Sequence, residues 1–131
     1  MFGCFGRWEN YWEEQVKVIE WTQTPEMLKD PILNQIDHTV GYGVAGHSMG
    51  GQATARSSIR ADIYNIKAAI LFHPYHEPGD NIGAQIQVPL AGFTGDLDDC
   101  CGEEATRNVF FLIEFYFYFL FWVISLNQVE K

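Results

Sequence analysis

The segment Gly46-His47-Ser48-Met49-Gly50, followed by Gly51, sets a serine between glycines where an apolar stretch gives way to small residues. That pattern suits covalent acyl transfer. A serine hydroxyl can attack a carbonyl when the chain turns sharply enough to lift the side chain clear. Glycines two positions to either side let the backbone pass without a Cβ in the way. A helix starting after the serine aims its first amides at the same point, so the Met49 N–H is placed to stabilise an oxyanion formed by attack of Ser48. Such a nucleophile also needs a base within hydrogen-bond reach and a group to orient that base.

The elements around the motif follow from apolar spacing. Residues 8–21 place Trp8, Tyr11, Trp12, Val16 and Ile19, with Glu20 at the margin, on a helix that is expected to lie on a sheet. In residues 24–37, Thr24 and Pro25 open a short helical piece that Pro31 breaks or restarts. Residues 40–45 read as a short strand, 46–51 as a tight turn, and 49–60 as a helix of small residues. The run Ile66 to Pro74 is continuously apolar and predicts a strand buried on both faces of a parallel sheet. A polar loop follows through residue 87, and residues 88–99 supply a strand that ends in glycine and acidic residues. This alternation predicts an α/β domain of about three parallel strands with flanking helices.

Three stretches, GVAGHSMGG, IKAAILFHP and VPLAGFTGDLD, resemble the α/β-hydrolase superfamily over about residues 40–99. The likeness is to its single-domain esterases, lipases and dienelactone-hydrolase-like members. The resemblance implies a partial α/β-hydrolase sheet, with Ser48 as nucleophile and the triad acid in a Thr-Gly-x-x-Asp segment. Thr94, Gly95 and Asp98 match that segment, with Asp96 and Asp99 as alternatives. It also implies the chain order serine, acid, histidine. All four histidines, His38, His47, His73 and His76, precede Asp98. Of these, His47 adjoins Ser48 and should point away from it, and His38 should fall at the opposite edge of the sheet. His73 and His76 close the next strand on the same edge as Ser48, which makes them the candidates for a substitute base. The early strands of such a sheet are missing, so three strands would leave both edges bare and favour self-association.

Composition excludes several other classes. With 17 acidic and 8 basic residues the net charge is −9, which opposes binding to nucleic acid, and no Lys/Arg cluster offsets it. Cys4, Cys100 and Cys101 show no zinc-ligand spacing, and an acyl-enzyme reaction of the kind the resemblance implies would need neither a metal nor an organic cofactor. The N-terminus does not read as a secretory signal, and the compartment stays open.

Residues 1–103 are assigned to the partial hydrolase-like domain and 104–131 to an aromatic, apolar tail. Within the tail, residues 109–126 carry one charge, Glu114. As a helix they would extend about 27 Å, against a bilayer core of about 30 Å. Three readings stay open for the tail: a sequence foreign to the hydrolase ancestry, a membrane anchor, or a buried helix. The expected function is hydrolysis of a small carboxylic ester through an acyl-enzyme, impaired by the absence of a histidine after the acid. The alternative is an inactive, truncated hydrolase-like protein that associates with membranes through its tail.

Overall fold

The computed structural model describes residues 10–75 and 82–95. Within them the chain forms α1 (Tyr11–Thr22), β1 (Tyr42–His47), α2 (Met49–Ser58), α3 (Ala61–Tyr64), β2 (Ile66–Phe72) and β3 (Leu90–Phe93). The strands form one parallel sheet in the order β1-β2-β3. The expected three-stranded α/β arrangement is therefore present. The apolar C-terminal helix expected at 109–126 lies outside the described residues, and no described helix is long and apolar enough to cross a membrane.

Two helical expectations change. Residues 24–37 form two single turns, Met27–Lys29 and Leu33–Gln35, and no continuous helix. Pro31 restarts the second, and Asp30 Oδ1 accepts the amides of Ile32 and Leu33 at 2.8 and 3.0 Å. Helix α1 packs chiefly against α2 and joins the core beneath the sheet through Ile19; Val16 is also buried, while Glu20 is exposed. Its polar residue Gln15 joins the layers. Gln15 Nε2 donates to Ala45 O at 3.2 Å and to Thr54 Oγ1 at 2.9 Å, and Gln15 Oε1 accepts from Ser57 Oγ at 2.6 Å. One turn earlier on α1, the Arg60 guanidinium stacks 3.7 Å above the centre of the Trp12 ring.

Small residues let α2 approach both α1 and the sheet, and its buried hydroxyls are satisfied within the helix. Thr54 Oγ1 donates to Gly50 O at 2.9 Å, and Ser58 Oγ to Thr54 O at 2.7 Å. The core joins Ile19, Val44, Ala55, Ile66, Ala69, Leu71 and Leu90 with Ile82 and Ile86, which come from the segment expected to be a polar loop.

The expectation that β2 is buried on both faces is corrected. Ile66, Ala69 and Leu71 are buried, whereas Ile70 and Phe72 are 39% and 40% exposed. The reason is topological. The helices and turns that connect the strands pack on the Val44–Leu71 side, and among the described residues nothing covers the other side.

Candidate active site

The turn after β1 is tighter than expected. His47 still pairs with Phe72 as the last residue of β1, and Met49 already opens α2, so Ser48 alone makes the turn. Its φ of 55° and ψ of −119° match the first central residue of a type II′ turn, a position ordinarily held by glycine. A side chain in that conformation costs on the order of 1–3 kcal/mol and persists only where surrounding structure dictates it.

Three backbone hydrogen bonds do so. Ser48 N–H donates to Phe72 O at 2.9 Å, and Ser48 O accepts from Gln52 N–H at 3.2 Å and Tyr75 N–H at 3.0 Å. The elbow is thus clamped by its own helix, by the last residue of β2 and by Tyr75 just beyond it. Serine is a favoured N-cap residue, yet the Ser48 hydroxyl makes no capping bond to α2.

Glycine roles differ within the motif. A Cβ on Gly46 would lie 2.0 Å from Gly50 O and 2.6 Å from Thr54 Oγ1, so only glycine fits there. A Cβ on Gly51 would meet Pro74 Cα at 2.9 Å. A Cβ on Gly50 would meet nothing within 4 Å. The close approach on the helix side therefore falls on Gly51 rather than on the second glycine of the five-residue motif. Neither Pro74 nor the Tyr75 amide was legible as part of the turn, because both reach it only through strand pairing.

Met49 is the first residue of α2, so its N–H belongs to the amides without an intrahelical carbonyl, as an oxyanion donor requires. The histidines take different places. His38 shares a hydrogen bond with the Tyr42 hydroxyl, and its carbonyl accepts from Asn65 Nδ2 at 3.1 Å, which puts it at the amino edge. His73 lies at the same carboxyl edge as Ser48, with φ of 44°, and its N–H donates to Phe93 O at 2.7 Å. Its ring stands edge-on to His47, with centroids 5.9 Å apart. A Cβ on Gly95 would come within 3.2 Å of His73 Cε1.

Strand β3 ends at Phe93, and the buried Thr94 and half-buried Gly95 follow it on this edge. His76, Asp96, Asp98 and Asp99 lie outside the described residues, as do the three cysteines. No group of three or more metal-ligating side chains occurs among the described residues. The geometry thus brings together Ser48, the start of α2, His47, His73 and the end of β3. In comparisons with known proteins, no family model and no curated relative matches this chain.

Proposed function

We propose that this chain carries an α/β-hydrolase-like nucleophile elbow and hydrolyses small carboxylic esters through an acyl-Ser48 intermediate. One observation carries the reading. A serine holds a conformation that glycine adopts without strain, at a helix N-cap where its hydroxyl does not cap. Backbone strain retained in this way is expected where the side chain must stand proud of the turn.

In the proposed reaction the Ser48 oxygen adds to the ester carbonyl while a base takes its proton. The Met49 N–H donates to the resulting oxyanion, the alcohol departs, and water then releases the acid. Asp98, three residues past Gly95, is the proposed orienting acid. His73 and His76 are the proposed substitute bases, His73 being the one described on the Ser48 edge. A base within hydrogen-bond reach of the Ser48 hydroxyl contributes about 10²–10⁴ in rate.

Fluorophosphonate labelling of the folded chain tests the proposal. Labelling at Ser48, abolished by Ser48→Ala, is the expected result, and a folded chain that stays unlabelled rejects it. A second reading, a noncatalytic hydrolase-like protein, is favoured by the position of all four histidines before Asp98 in the sequence. Labelling that persists in His73→Ala and His76→Ala variants would remove both as bases.

A further inference from the structure

We propose that residues 109–126 of this same chain pack on the open face of the sheet. Alternation along the strands turns Ala45, Ala68, Ile70, Phe72, Ala91 and Phe93 to the side away from α2. Phe72 and Phe93 stack there with centroids 5.3 Å apart. This surface runs across all three strands and is apolar except for His47, which pairs with Phe72 at its carboxyl end. Parallel sheets almost always have both faces covered, because hydrophobic strands gain little from facing water.

The chain itself supplies a segment of matching character. Residues 109–126 contain nine aromatic side chains and one charge, Glu114. The chain leaves β3 at Phe93, directly beside this face, and residues 96–108 connect Gly95 to the segment. Thirteen extended residues reach up to about 43 Å, against about 10 Å across three strands. As a helix the segment would be about 27 Å long, enough to cover the roughly 23 Å of β2.

Charge favours this occupant over two others of similar chemistry. At −9, two copies of the chain repel each other, and an anionic membrane repels the domain. A tethered segment faces neither opposition, since its effective concentration is set by the linker at about the millimolar scale. The proposal does not depend on the chemistry of Ser48.

The test places a benzophenone photocrosslinker at position 72 of the full chain, with position 63 on α3 as the distant control. Crosslinks from position 72 into residues 109–126 of the same molecule are expected, with a yield unchanged across about a hundredfold dilution. Crosslinks only between molecules, with a yield that falls on dilution, overturn the proposal in favour of a second copy. Transfer of the crosslink to lipid when phosphatidylcholine vesicles are added overturns it in favour of a membrane. Position 72 giving no product in 109–126 also overturns it. Should that variant fail to fold, Ile70→Asp in the unlabelled chain gives an independent readout. Amide exchange in residues 109–126 should rise about tenfold, and unchanged exchange overturns the proposal.

Discussion

The two edges of the sheet both contain left-handed backbone, but on different kinds of residue. At the amino edge, positive φ falls on Gly41, at 95°, and on Asn65, at 53°. Glycine and asparagine are residue types that tolerate it. A Cβ on Gly41 would meet Asn65 O at 2.5 Å, and the Asn65 side chain bonds back to His38 O. That edge is built for low strain. At the carboxyl edge, positive φ falls on Ser48 and His73, with Ser48 in a conformation outside even the common left-handed well. Strain placed on a serine beside two histidines marks the edge where chemistry is proposed, and strain placed on Gly and Asn marks the edge that only closes turns.

Substitutions can break this contrast. The largest effect is expected for Gly46→Ala, because the intruding methyl meets backbone of α2 that cannot swing aside. A loss of more than about 3 kcal/mol in urea unfolding, or failure to fold, is expected. Near-neutral behaviour would mean that the elbow is loose and its strain illusory.

Next comes Ser48→Gly. It removes the strained side chain and sacrifices no helix cap, so stability should rise by about 1 kcal/mol while fluorophosphonate labelling disappears. The matching change at the other edge, Asn65→Gly, should gain less, since asparagine already tolerates its conformation. Equal gains at the two positions would erase the distinction between the edges.

Gly50→Ala should be smaller again and of opposite sign to Gly46→Ala. Nothing lies within 4 Å of the added methyl, and alanine in the first turn of α2 favours the helix by up to about 1 kcal/mol. Thermal unfolding that shows Gly50→Ala to be as damaging as Gly46→Ala would restore the symmetrical reading of the motif.

The smallest effect concerns pH and touches the turns that lead into β1. Asp37 is held below the usual carboxylate range, first by the Thr39 hydroxyl and then by the Thr39 amide. Asp30 is lowered by the amides of Leu33 and Ile32. Because their folded pKa values lie below the unfolded value of about 3.9, the stabilisation they supply is complete above that value. It is lost as the pH falls through the folded values. The backbone bonds that clamp Ser48 do not titrate. Amide exchange around residues 30–40 should therefore accelerate below about pH 4 before exchange at Ser48 does, and simultaneous acceleration would contradict this assignment.

Much of the frame was legible because it is written in local terms. The Gly-x-Ser-x-Gly stretch, the small residues of α2 and the apolar runs at β2 and β3 each specify their own conformation through Cβ sterics and hydrophobic continuity. Boundaries moved by two residues at β1 because pairing with β2 carries the strand up to His47, an influence no local rule contains. Ile82 and Ile86 read as parts of a polar loop, since two isolated isoleucines make no periodic pattern, yet both are buried against the sheet. Gln15 is not among the apolar positions that mark α1 in the sequence, and its bonds to Ala45, Thr54 and Ser57 exist only because α1 lies beside β1 and α2.

From the amino acids alone came the sharp bend at Ser48 and the parallel α/β alternation, because a missing Cβ and an apolar run act within a few residues. Tertiary structure decided which glycine carries the close approach and which histidine shares the Ser48 edge. It also decided that, among the described residues, β2 is covered on the α2 side. Each of these depends on where a distant segment of backbone arrives, and strand pairing brings Pro74 and Tyr75 to the elbow by a route that spacing along the chain does not encode.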